Sequence, residues 1–108
     1  MLNLPQNPQF CQTDVSGSAL VLGDCLEVMK YIPSKSVQLI LADLPYNVTG
    51  LKWDSIVPLN RLWEQYERII KHNGAIVLFG AEPFSSALRM SNIKNYKYQS
   101  NKLTDRKF

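Results

Sequence analysis

Apolar side chains along this chain gather in three tight runs. Ala19-Leu20-Val21-Leu22, Val37 with Leu39, Ile40 and Leu41, and Ala75-Ile76-Val77-Leu78-Phe79 each end abruptly, at Gly23-Asp24, at Asp43 and at Gly80. Short continuous runs bounded by such breakers predict buried strands. Between them the spacing changes to a helical one. Leu26, Met29, Tyr31 and Ile32 suit a helix of about two turns that Pro33-Ser34-Lys35-Ser36 breaks. Leu59, Leu62, Trp63, Tyr66, Ile69 and Ile70 predict an amphipathic helix from about Leu59 to Lys71, with Arg61, Glu64, Glu67 and Arg68 on its other face. Asn73-Gly74 reads as its left-handed cap. Pro83 opens a third helix through Phe84, Ala87, Leu88 and Met90, closed by Ser91-Asn92, and Tyr96-Lys97-Tyr98 starts a fourth, polar strand. Strands alternating with helices predict an α/β domain over residues 19–98, with a mostly parallel sheet covered by helices on both faces. Residues 1–18 read as an irregular lead-in rich in Asn, Gln, Pro and Ser, and residues 99–108 as a polar, basic tail.

Composition narrows the setting. The chain has 108 residues, enough for one domain with a modest core. It contains no run of 18 apolar residues, and its first 20 residues lack a basic start and an apolar middle, so an intracellular, cytoplasmic protein is expected, without a membrane partner. Cys11, Cys25 and the lone His72 are too few for a closed metal site, so no metal is expected and both thiols read as reduced. The formal charge of +3 is unevenly spread: residues 1–86 carry a net −2 and residues 87–108 a net +5. Arg89, Lys94, Lys97, Lys102, Arg106 and Lys107 could meet phosphates, with Tyr96 and Tyr98 as stacking faces between them.

Ligands of parallel α/β sheets collect beyond the carboxyl ends of the strands, where Asp24, Asp43 and Gly80 fall. Asp43-Leu44-Pro45-Tyr46 has the most chemistry. An exocyclic amine on a planar ring is a poor nucleophile because its lone pair is delocalised. A carboxylate accepting one N–H and a backbone carbonyl accepting the other make that pair more available, and Asp43 and Leu44 supply the two acceptors. Pro45 fixes its own φ and biases Leu44 toward an extended backbone, and Tyr46 offers a face for the ring. Preorganised acceptors of this kind accelerate transfer without a covalent step.

Several segments together resemble the DNA amino-methyltransferases. Gly23-Asp24-Cys25-Leu26-Glu27-Val28-Met29 looks like their Gly-Asp-x-x-x-x-Leu segment, and Val37-Gln38-Leu39-Ile40-Leu41-Ala42-Asp43-Leu44-Pro45-Tyr46-Asn47 like their strand and Asp-Pro-Pro-Tyr motif. Trp53-Asp54, Leu62-Trp63, Gly74 to Phe79 and Phe84 to Leu88 follow in the family's order, so the likeness runs from about Leu22 to Tyr98. It implies a Rossmann-like methyltransferase fold, S-adenosyl-L-methionine as cofactor and DNA as partner. An Asp at the head of the motif is similar to the adenine-N6 members, while the cytosine-N4 members more often carry Ser. The same resemblance implies that the base is flipped out of the duplex, held by Asp43 and Leu44 and stacked on Tyr46, with Asp43, Leu44, Pro45 and Tyr46 as the catalytic motif, Tyr46, Asn47 and Trp53 at the base pocket, and Asp24 and Asp43 meeting the cofactor.

Two departures from the family stand out. Leu44 replaces a proline, which keeps the carbonyl that the chemistry uses. The second concerns the cofactor: these members carry a glycine-rich Phe-x-Gly-x-Gly loop after the catalytic motif, and no Gly-x-Gly occurs among Gly17, Gly23, Gly50, Gly74 and Gly80. The expectation is therefore an incomplete fold, the N-terminal portion of such an enzyme, working with a missing C-terminal part or a second polypeptide, in a restriction-modification setting or outside one. Two other readings stand beside it: a nucleic-acid-binding module built on the stretch from Arg89 to Tyr98, and a remnant without catalysis that exposes apolar sheet surface.

Overall fold

The computed structural model describes Leu4, residues 11–45 and residues 57–98. The fold is mixed α/β, with a two-stranded parallel sheet, a separate two-stranded antiparallel sheet and three α-helices among the described residues. Strand β1 (Cys11–Val15) pairs antiparallel with β2 (Ser18–Leu22), and the parallel sheet joins β3 (Val37–Ala42) to β4 (Ile70–Leu78). The helices are α1 (Cys25–Met29), α2 (Leu59–Ile69) and α3 (Phe84–Ser91), followed by a short 3₁₀ turn at Ile93–Asn95.

The first correction concerns the start of the chain. Part of the segment read as irregular, residues 11–18, is a strand and a turn. Val15 faces Ser18, leaving Ser16 and Gly17 as a two-residue loop with φ of 49° and 82°. Positive φ at both central positions gives the twist that a tight hairpin needs, and glycine takes the second at no steric cost. Consequently β2 is neither parallel nor buried: Leu20 is 73% exposed and Leu22 is 78% exposed. The run of four apolar residues indicated a strand but not its partner.

The core is one cluster in which Leu26 and Met29 of α1, Leu62, Tyr66 and Ile69 of α2, and Phe84 and Leu88 of α3 surround Ile40 and Leu44. Ile76 and Leu78 pack against it from β4. Alternation along the two strands puts Leu39, Leu41, Val77 and Phe79 on the opposite face, where all four are exposed. Among the described residues, helices thus cover one face of the parallel sheet rather than both.

Boundaries moved where backbone bonding overrode periodicity. Helix α1 is shorter than two turns: Asp24 caps it by accepting the Leu26 N–H at 2.9 Å, and its C-terminal side is held by Arg68. Helix α2 stops at Ile69, and Ile70 is already extended, so no left-handed cap forms at Asn73-Gly74. The end of α2 is satisfied differently. The N–H groups of Lys35 and Ser36 donate to the carbonyls of Arg68 and Ile69, both at 2.9 Å, and Lys35 Nζ donates to Glu67 O at 3.3 Å. The predicted polar strand at Tyr96–Tyr98 has no regular structure, while Tyr96 N–H caps the 3₁₀ turn by donating to Ile93 O.

Gly74 owes its place to close approach instead of a special φ. The β3–β4 register jumps from Val37 opposite Ile70 to Leu39 opposite Ala75, an irregularity that brings Gly74 against the neighbouring strand. A Cβ there would lie 2.8 Å from the Gln38 carbonyl oxygen and 2.8 Å from Ile70 Cγ1 and Cδ1. Backbone oxygen cannot swing aside, so Gly74→Ala should cost about 1–3 kcal/mol. Urea unfolding followed by circular dichroism checks this; an unchanged midpoint would show that the strand relaxes freely.

Candidate functional site

Asp43 follows the last residue of β3, at the carboxyl end of a parallel strand, and its side chain is exposed. The ladder reaches its doorstep: Phe79 N–H, one residue past β4, donates to Ala42 O at 3.2 Å. Leu44 is buried in the core and Pro45 is half-buried. Burial of Leu44 anchors the turn from below while Asp43, the adjacent residue, stays at the surface. That gives the leucine at this position a packing role that a proline ring would fill less well. Tyr46, Asn47 and Trp53, the other residues expected at a base pocket, lie outside the described residues.

Asp24 ends up in a different setting. It follows the exposed hairpin strand β2, not a strand of the parallel sheet, so Asp24 and Asp43 stand beyond the ends of strands in separate sheets. One carboxylate oxygen is committed to the Leu26 N–H. Its neighbour Cys25 is a free thiol whose pKa is raised, first by desolvation and then by the Asp24 carboxylate. A thiol held in its neutral form is a weak nucleophile, which sets Cys25 apart from activated cysteines.

On α2, Tyr66 packs edge-on to Trp63, with ring centroids 5.9 Å apart and planes at 83°. The Trp63 indole donates to Ser91 Oγ at 2.7 Å, and Ser91 donates on to Leu88 O at 2.6 Å, tying α2 to the end of α3. Burial, and secondarily the charge of Cys25, pushes the Tyr66 phenol up to about 12 from 10.0. The folded protein therefore keeps a proton that the unfolded chain loses near pH 10. This contribution to stability is complete below pH 10 and is lost as pH rises to about 12. Thermal melts between pH 9 and 12 should show a steeper alkaline decline for the wild type than for Tyr66→Phe; parallel curves would refute the coupling.

Three groupings escaped the reading of strand ends. Arg68 spreads over the link from α1 to β3, donating to Met29 O at 2.6 Å, Ile32 O at 2.8 Å and Ser34 Oγ at 3.2 Å. At the start of α3, the Glu82 carboxylate accepts the Ser85 and Ser86 hydroxyls and meets Arg89 at 3.4 Å. The two hydroxyl bonds, with the Arg89 charge adding to them, lower the Glu82 pKa. The order Glu82, Ser85, Ser86, Arg89 has helical spacing, a signal readable in the sequence. The third is a cleft of about 190 Å³ between α1 and α2, lined by Leu26, Lys30, Arg61, Glu64 and Gln65, none of them from the Asp43 turn.

Within the basic stretch, Arg89 is engaged by Glu82 and by Ser86 Oγ at 2.9 Å, whereas Lys94, Tyr96, Lys97 and Tyr98 are exposed. Asn95 holds the 3₁₀ turn against α2 by donating to Glu67 Oε1 at 2.9 Å. Among the described residues no three His, Cys, Asp or Glu side chains are grouped to hold a metal ion, and no helix is long and apolar enough to cross a membrane. Compared with known proteins, the chain matches no family model and no solved structure.

Proposed function

We propose that this chain carries the base-binding part of an S-adenosyl-L-methionine-dependent DNA methyltransferase, acting on the exocyclic amine of adenine in preference to that of cytosine. One observation carries the reading. An exposed carboxylate, Asp43, stands at the carboxyl end of a parallel strand, on a turn anchored by buried Leu44 and stiffened by Pro45. The wider fold we assign is an incomplete Rossmann-like one, supported by the parallel β3–β4 pair and the helices on one of its faces.

In this reading the Asp43 carboxylate and the Leu44 carbonyl each accept one N–H of the amine, raising the availability of its lone pair, and Tyr46 stacks on the ring. The cofactor would supply an electrophilic methyl group. Asp24 suits its sugar hydroxyls, since one carboxylate oxygen serves the helix cap and the other can accept an O–H. Incubation with adenine-rich DNA and cofactor tritiated in the methyl group tests the proposal. Label should enter DNA, and Asp43→Ala should cut incorporation tenfold or more while leaving the far-ultraviolet spectrum unchanged; equal labelling by the variant would sink it.

A second reading draws on Lys94, Tyr96, Lys97 and Tyr98, which interleave exposed charges and rings. They suit nucleic-acid contact without chemistry. Binding would then weaken steeply with salt and ignore Asp43→Ala.

A further inference from the structure

We infer that two copies of this chain associate by exchange, the β1–β2 hairpin of each lying over the open face of the β3–β4 sheet of the other. This does not rest on the proposed methyltransferase reading. The receiving surface is an uninterrupted apolar stripe. Leu39 lies opposite Ala75 and Leu41 opposite Val77, and Phe79 extends the row, all on the face away from the helices. Leu39 is 54% exposed and Leu41 is 61% exposed, in a parallel sheet, a type ordinarily covered on both faces.

The occupant is encoded in the same chain. Leu20 and Leu22, two residues apart, project from one face of the hairpin and are the most exposed leucines among the described residues. A five-residue strand spans roughly 17 Å, a length comparable to the six-residue β3 that would receive it. Sheet-on-sheet packing joins such faces through interdigitated side chains. Complete burial of Leu20, Leu22, Leu39, Leu41, Val77 and Phe79 in both copies would cover at most roughly 1,200 Å², the lower bound of specific interfaces. A twofold pair uses both surfaces of both copies, and twofold pairs are the commonest symmetric assembly. A nucleic acid would find no charged side chain among Leu39, Leu41, Val77 and Phe79.

Sedimentation equilibrium of the full chain between 1 and 200 µM tests the inference. A species of twice 12.3 kDa is expected. Leu41→Glu damages the receiving face and Leu20→Lys the hairpin, and each should weaken association at least tenfold. Both positions are exposed, so unchanged circular dichroism and melting must accompany the loss. Mixing the two variants should restore association, because one supplies an intact hairpin, the other an intact face, and the second contact sets Lys against Glu. A monomer at 200 µM, a dimer indifferent to both substitutions, an open series of larger species, or no recovery on mixing would each overturn it.

Discussion

Leu62→Ala should remove a large share of the stability of the protein, about 3–5 kcal/mol. Leu62 is the one fully buried large side chain among the described residues, at 0% exposure, in the middle of α2 where helices and sheet converge. Truncation removes the transfer free energy of three carbons and leaves a hole that Tyr66, Ile69, Leu88 and Ile40 cannot all move to fill. Leucine-to-alanine changes at such sites cost about 3–5 kcal/mol, and a domain of this size holds only about 5–10 kcal/mol in total. Urea titration gives the test, with Leu62→Met as the control expected to cost under about 1.5 kcal/mol because it conserves volume. Equal losses from the two substitutions would mean that packing at this position does not depend on volume.

Arg68→Met should be nearly as damaging, for a different reason. The Arg68 guanidinium donates to Met29 O, Ile32 O and Ser34 Oγ and also to Gln65 Oε1 through Nε at 3.1 Å and Nη2 at 2.9 Å. It holds the C-terminal side of α1 and the following loop against α2, while the same loop returns N–H groups to the end of α2. Methionine preserves the stem and leaves those acceptors without their charged donor, at a cost of about 2–4 kcal/mol. At about 4–8 °C per kcal/mol for a small domain, the melting temperature should fall by about 8 °C or more. Arg68→Lys should recover little, since a compact ammonium cannot reach both carbonyls and Gln65 in the fork that arginine spans. Full recovery by lysine would show that charge alone, not the planar fork, holds the link.

Both residues show how far a linear reading reaches. Leu62 was legible: it stands in the helical rhythm of Leu59, Leu62, Trp63, Tyr66 and Ile69, and burial followed. Arg68 was assigned to the polar face of the same helix, yet it reaches across to Met29 and Ile32, 39 and 36 residues earlier in the chain. No spacing rule reports a hydrogen bond of that range. Gly74 was singled out for the wrong property, because Asn-Gly after a helix resembles a left-handed cap, whereas the nearby Gln38 carbonyl is what requires the absence of a Cβ.

The candidate site divides along the same line. Asp43 at a strand end, Leu44 and Pro45 after it, and the break at Gly80 were readable because an apolar run must stop where the chain leaves the core. That Leu44 is buried while Asp43 is exposed depended on the helices beneath the turn. Asp24 was placed by analogy with Asp43, as another strand-end acid, but its strand pairs with β1 in a hairpin, and its carboxylate spends one oxygen on a helix cap.

From the sequence alone came the α/β alternation, the amphipathic face of α2, the carboxylate, leucine and proline of the turn, and the separation of basic from acidic stretches. These are local properties: periodicity, breakers and charge act over a few residues. Tertiary structure decided the rest. It chose an antiparallel partner for β2 through the positive φ angles of Ser16 and Gly17, ran α2 straight into β4, recruited Arg68 to the α1–β3 link, and put all three helices on one face of the parallel sheet. An alternating strand tells only that it has two faces; which of them is covered depends on where distant segments pack.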